Sequence, residues 1–171
     1  THSVEGRVIS KYTDTIRKRA SARFLVSPPS TFQALDNKKN LYQNLFRIGL
    51  DVPRVFSNAT EESSFPLFAK PIQGSGSKNS FKISDPEQLR RVSSSQKGLL
   101  FLEYIDGLEY TVDTYFSHEG FLVGYNQRIR RKRMGGAAVI SETNFGDDVG
   151  ESIKRIGATF SILGPANFQF F

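Results

Sequence analysis

The sequence predicts an α+β fold. Short apolar or alternating runs separated by Gly-containing turns read as antiparallel hairpins. Longer segments with apolar residues three and four apart read as helices. The two kinds of element do not alternate in a regular βαβ repeat, which argues against a parallel sheet.

Taken in order, Ser10 to Ala20 reads as a short basic helix and Arg23-Phe24-Leu25-Val26 as a short strand, punctuated by Pro28-Pro29. Leu35 to Ile48 reads as one amphipathic helix. Leu41, Leu45 and Ile48 recur at helical spacing, Tyr42 and Phe46 widen the apolar face, Asp36 is an early cap and Gly49 a stop. Leu67-Phe68-Ala69-Lys70 and Phe81-Lys82-Ile83 read as two strands of a hairpin. Asp85 caps a helix to Val92, with Pro86 in its first turn and Gln88 completing a capping box. Leu99 to Leu102 is a buried strand by its unbroken apolar run. From Glu109 to Phe116 the residues alternate: Tyr110, Val112, Thr114 and Phe116 share one face, Thr111, Asp113 and Tyr115 the other. Phe121 to Arg131 is the partner strand across the His118-Glu119-Gly120 turn, and Gly135-Gly136 breaks the chain. Asp148 to Ile162 reads as a helix with Ile153, Ile156 and Phe160 on one side, and Asn167 to Phe171 as a last strand.

The 171 residues suffice for one ordinary domain or two small ones. A 38% hydrophobic content with 15 Phe supports a packed core. With no Cys, disulfides, thiol catalysis and thiolate metal sites are excluded, and with two His a His-rich metal site is not expected. No apolar run approaches the roughly 20 residues of a membrane span, and no apolar stretch at the start suggests export, so a cytoplasmic location is expected. The net charge of +6 favours anionic partners, and Arg17-Lys18-Arg19 and Arg128 to Arg133 carry much of it.

Two segments carry candidate chemistry. In Lys70-Pro71-Ile72-Gln73-Gly74-Ser75-Gly76-Ser77, glycines let backbone N–H groups turn toward one anion, while Ser75 and Ser77 add hydroxyls and Lys70 and Lys78 add charge. The spacing is neither G-x-x-x-x-G-K-[ST] nor G-x-G-x-x-G, and by itself such a loop is more often a plain turn. About 30 residues on, Glu103-Tyr104-Ile105-Asp106-Gly107-Leu108-Glu109-Tyr110 places two carboxylates around a Gly turn at the end of a buried strand. A hinge of this kind can offer backbone groups to a purine edge and a carboxylate to ribose hydroxyls; a solvated turn is the plain alternative.

Together with Thr111-Val112-Asp113, Gly164 and Asn167-Phe168-Gln169, these segments resemble the ATP-grasp superfamily, in the flavour of the carbamoyl phosphate synthetase large chain. The resemblance runs from about Asp36 to Phe171, in order and with family-like spacing. It implies two small α+β subdomains with antiparallel sheets enclosing a nucleotide site. Residues 32–100 would form the small subdomain and 101–171 the start of the second, with 1–31 a linker or the tail of a preceding unit.

The resemblance also implies roles. Lys38, with Lys39 as the alternative register, and Lys70 would contact ATP phosphates. Gly74, Ser75, Gly76 and Ser77 would form the lid. Glu103 and the backbone of Tyr104 and Ile105 would bind adenine, Glu109 would grip ribose, and Gln169 would ligate Mg2+. The family pattern continues to a strand with a metal-binding Glu and an Asn two residues later, which lies beyond Phe171, so the chain reads as part of a longer enzyme. Arg128 and Arg130 share a strand face and suit a substrate carboxylate; a solvated strand end is the equal alternative, and Arg131 to Arg133 read as surface. Asp147-Asp148 reads as a helix start, and His2 and His118 have no ligand-spaced partners.

The implied activity is an ATP-dependent ligase. It would convert a small carboxylate to an acyl phosphate for attack by an amine or ammonia, with ATP and Mg2+ as cofactors. A non-catalytic nucleotide-binding module is the second expectation. A basic nucleic-acid-binding domain is third, weakened by the absence of an RNA-recognition aromatic signature or a helix-turn-helix.

Overall fold

The computed structural model describes residues 3–21, 24–56, 59–60, 64–74, 79–134, 137–144 and 149–171. The elements are α1 (Ser3–Arg19), α2 (Pro29–Asp36), α3 (Lys38–Arg47), β1 (Val55–Phe56), β2 (Leu67–Pro71), β3 (Phe81–Ile83), α4 (Pro86–Ser95), β4 (Leu99–Glu103), β5 (Tyr110–Phe116), β6 (Leu122–Met134), β7 (Ala137–Thr143), α5 (Gly150–Phe160) and β8 (Gly164–Phe170). They build two four-stranded sheets, ordered β1-β4-β2-β3 and β7-β6-β5-β8. This is the α+β class that the hairpins and helices predict. The chain divides into two compact units, one of Asp36–Leu108 with Arg131–Ile140 and Phe171, the other of Thr1–Leu35, Glu109–Arg130 and Ser141–Phe170.

In the unit containing Asp36–Leu108, the single helix expected over Leu35 to Ile48 is interrupted. Asn37 is extended (φ −88, ψ 101) and its side chain accepts from the Asn40 N–H, so Asn37, not Asp36, is the cap of α3. A Schellman motif ends α3: Leu50 N–H donates to the Leu45 carbonyl at 3.1 Å and Gly49 N–H to Phe46 at 2.9 Å, with Gly49 at φ 69. Strands β2 and β3 pair antiparallel, Leu67 opposite Ile83 and Ala69 opposite Phe81, and β2 pairs with β4 from Leu67–Glu103 to Pro71–Leu99. Leu67, Ala69 and Ile83 are fully buried and pack with Leu89 of α4. As expected, Asp85 caps α4, accepting from Gln88 N–H at 2.8 Å. Gln88 reaches back to the Ser84 N–H, at 2.9 Å, rather than to that of the cap itself.

In the other unit, β5 lies between β6 and β8, antiparallel to both. The expected alternation holds on the core side. Val112 and Phe116 are fully buried, as is Ile153 of α5, with Ile156 and Phe160 nearly so. Gly157 lets α5 approach the sheet closely, because a Cβ there would stand 2.2 Å from Phe116 Cε1. Residues 24–28 form no strand. Their contacts run through side chains instead: Ser27 Oγ accepts from Leu163 N–H at 3.0 Å, and Ser10 Oγ donates to the Ser27 carbonyl at 2.7 Å. Thr31 Oγ1 donates to the Phe160 carbonyl at 2.5 Å, satisfying an end of α5. Strand β7 is absent from the sequence-based expectation. Ala137-Ala138-Val139-Ile140 carried its apolar, β-branched signal. The expected helix start at Asp147-Asp148, together with Gly135-Gly136, lies outside the described residues.

Gly157→Ala is predicted to destabilise this unit by about 1–3 kcal/mol through overpacking against Phe116. The measurement is the urea or thermal unfolding midpoint, and an unchanged midpoint would refute the close approach.

Candidate functional site

Alternation along β2 turns Leu67 and Ala69 into the core and sends Phe68 and Lys70 to the opposite face, where Phe68 stands between Lys82 and Leu102 and Lys70 opposite Leu100. Helix α3 begins at the far end of this strand: the Lys38 N–H donates to the Ile72 carbonyl at 2.9 Å. From there Lys38 Nζ donates to the Gly74 carbonyl at 2.6 Å. Lys70 Nζ donates to the Tyr42 hydroxyl at 2.6 Å and lies 5.9 Å from the Phe68 ring centroid. Lys39 is exposed.

The two ammonium groups feel each other. Burial lowers the pKa of Lys38 most, the charge of Lys70 lowers it further, and Asp36 acts in the opposite sense. Burial also pushes Tyr42 up to about 12. Two neighbouring cations with restricted hydration are suited to an anion with several oxygens. Gly74 has φ +107 and open space around it, which fits a glycine at the root of a loop. Ser75, Gly76 and Ser77, and Lys78 beside them, lie outside the described residues.

Glu103 closes β4. Its N–H donates to the Arg54 carbonyl at 2.9 Å, and its Oε2 accepts from the Arg54 N–H at 3.2 Å. The ring of Tyr104 carries Lys82 Nζ at 4.0 Å from its centroid. Among the described residues no backbone hydrogen bond ties down Tyr104 or Ile105. Their amides and carbonyls can therefore serve a flat heterocycle with donors and acceptors on its edge.

The unit built on β5 has a polar face of its own. Thr111 stands between Arg128 and Gln169, and Asp113 between Asn126 and Asn167, all on the side away from Val112 and Phe116. Glu109 and Arg130 form an ion pair with side chains 9% and 3% exposed. Arg128 is more open: its Nη2 and Nε reach Asp113 Oδ2 at 2.5 and 3.1 Å. Asp113 Oδ1 accepts from Asn167 Nδ2 at 2.6 Å. Arg128 and Arg130 thus share a face but differ in environment, one buried against Glu109 and one held at the surface by Asp113. Gln169 is exposed on the same face.

Sequence reasoning did not single out Tyr42, Asp113 or Asn167. Each had a signal. Tyr42 follows Lys38 by one helical turn, while Asp113 and Asn167 fall on the polar phase of their strands. Among the described residues no group of three or more His, Cys, Asp or Glu could hold a metal ion, and no helix is long and apolar enough to cross a membrane.

Solved structures resemble the chain in fold. The L-amino acid ligase of Bacillus licheniformis matches with a TM-score of 0.65 at 18% identity, over 95% of this chain and 43% of that one. A biotin carboxylase–beta-gamma-ATP complex from Campylobacter jejuni gives 0.73 at 14%, over 95% and 43%. The biotin carboxylase domain of Hydrogenobacter thermophilus 2-oxoglutarate carboxylase, with MgADP, ADP and bicarbonate, gives 0.72 at 10%, over 94% and 42%. At such identities the likeness is one of fold alone, and the chain spans less than half the length of each. No curated protein matches the chain. The model of the ATP-grasp domain matches residues 35–164, three quarters of the sequence and both candidate segments, and the chain belongs to the ATP-grasp family.

Proposed function

We propose that this chain supplies most of the ATP-binding site of an ATP-dependent ligase. The ligase would activate a small carboxylate as an acyl phosphate for attack by an amine or ammonia. Membership of the ATP-grasp family supports the reading. The observation that carries it is the pairing of Lys38 with Lys70, held by Tyr42, at a distance where the charge of Lys70 lowers the pKa of Lys38. Solved structures of similar fold were obtained with beta-gamma-ATP, and with MgADP and bicarbonate.

In this reading Lys38 and Lys70 hold the phosphates under the loop from Gly74 to Ser77. Glu103 and the backbone of Tyr104 and Ile105 meet adenine, and Glu109, braced by Arg130, meets the ribose. Arg128 is the better-exposed guanidinium for a substrate carboxylate, and Arg130 supports it from the same strand face. A carboxylate oxygen attacks the γ-phosphorus as the bond to ADP breaks. The amine then attacks the acyl carbon, phosphate leaves, and the amine loses a proton. The protein's share is positioning and charge stabilisation. Gln169 offers an exposed amide oxygen, which suits Mg2+ held mainly by phosphate oxygens and water. When bound, that ion would neutralise phosphate charge. A carbamoyl phosphate synthetase-like chemistry is the finer form of the proposal, because Gln at this metal position resembles that group.

Lys70→Ala is predicted to weaken Mg-ATP binding by about tenfold or more, through loss of a charge-assisted contact. Titration calorimetry measures it, and unchanged affinity would refute the assignment. ADP release that depends on an added carboxylate and amine would establish the ligase; binding without any such turnover would leave a nucleotide-binding module.

Affinity should also depend on pH. The polyphosphate favours protonated Lys38, whose pKa lies below the ordinary lysine value. Binding should be full below that lowered pKa and fall as pH rises through it, before ordinary lysines titrate. Lys38→Arg should move the fall to higher pH, since guanidinium stays charged. A profile unaltered by that substitution would remove Lys38 from the phosphate site.

A further inference from the structure

Tyr42 stands on α3 one turn after Lys38 and meets Lys70, on β2, through its hydroxyl. Lys70 Nζ is 2.6 Å from that oxygen but 4.9 Å from the ring centroid. The hydroxyl is thus the nearest Tyr42 group to the ammonium, with the ring within cation–π range behind it. A lysine stem is flexible, and its ammonium is a point charge without a fixed direction. One short hydrogen bond from a half-buried phenol removes much of that freedom. The tether also keeps Lys70 near enough to Lys38 to lower its pKa.

A phenol oxygen that accepts still has its own proton to give. Among the described residues no acceptor takes the Tyr42 proton. Burial keeps that proton in place, with the pKa pushed up to about 12. The hydroxyl thus lies between a cation it fixes and an acceptor still to be supplied. An oxygen of the anion drawn in by Lys38 and Lys70 meets that need.

We propose that Tyr42 is a positioning residue for phosphate recognition: its hydroxyl fixes the Lys70 ammonium beside Lys38 and leaves its own proton for an oxygen of the same phosphate. This rests on the reading of Lys38 and Lys70 as phosphate ligands given above. It adds a residue on the helix that couples the two lysines, so that they act as one preorganised site rather than as two mobile charges.

The test is a double-mutant cycle on the full chain with Tyr42→Phe, Lys70→Met and the pair combined. Mg-ATP and adenosine are titrated into each by calorimetry. Tyr42→Phe keeps the ring and removes only the oxygen, so its thermal midpoint should stay close to that of the parent. It should weaken Mg-ATP binding about tenfold or more, the scale of one hydrogen bond to a charged group. Adenosine affinity should not change, and Tyr42→Phe should cost less in the Lys70→Met background, where only its own hydrogen bond to the phosphate is left to lose. If Lys70→Met weakens Mg-ATP binding and Tyr42→Phe does not, the positioning role is wrong while the phosphate reading stands. An equal effect of Tyr42→Phe in both backgrounds, or an equal loss for adenosine, assigns Tyr42 to packing and overturns the proposal. If Lys70→Met leaves Mg-ATP affinity unchanged, the phosphate reading itself fails and the proposal falls with it.

Discussion

Two ammonium groups held close together in a partly desolvated place raise the energy of the ligand-free protein. The unit around β2 accepts that cost. Burial and the charge of Lys70 both act against a protonated Lys38. An anion placed beside the two lysines would offset the repulsion between them. Much of the surrounding structure serves this arrangement. Asn37 breaks the helix so that α3 starts at Lys38. The Ile72 carbonyl takes the first N–H of α3 and ties it to the end of β2. The core residues Leu67 and Ala69 fix the phase of β2 and so the face on which Lys70 emerges.

The second unit solves a different problem with the same rule. Alternation along β5 separates burial from chemistry. Val112 and Phe116 are buried, Phe116 against Gly157 of α5, while Asp113 and Thr111 go to a face shared with Arg128, Asn167 and Gln169. That separation depends on the close approach of α5 at Gly157, since a larger residue would push the helix away from Phe116. The Glu109–Arg130 pair lies at the start of this sheet and is almost wholly buried. Such a pair contributes little net stability, but loss of either partner strands a charge and costs about 3–5 kcal/mol. It therefore pins the register of β5 against β6. Asp113 does the corresponding task in the open, orienting Arg128 with one oxygen and Asn167 with the other.

Most of the elements were legible from local pattern. The apolar phase of α5, the alternation of β5 and the cap of α4 depend on neighbours within a few residues, and all three are found as expected. The reading was less secure where distant partners decide. The strand expected around Leu25 does not form: Ser27 is held instead by Leu163 through its hydroxyl and by the Ser10 hydroxyl through its carbonyl. The helix expected over Leu35 to Ile48 divides, because Asn37 satisfies the first turn of α3 better than continuation would. Strand β7 was missed because its signal is four small or branched apolar residues after a Gly pair, too short to stand out from a loop.

The sequence by itself determined the α+β class, the two candidate segments, and the residue types able to meet phosphate, adenine and a carboxylate, because composition, period and motif order are local properties. Only the tertiary structure decided how those residues are used. It brought Lys38 into the field of Lys70, gave Lys70 to Tyr42, divided Arg128 from Arg130 by their partners, and set Asp113 between Arg128 and Asn167. Each of these depends on which distant strand or helix face is brought alongside, and no spacing along the chain encodes that.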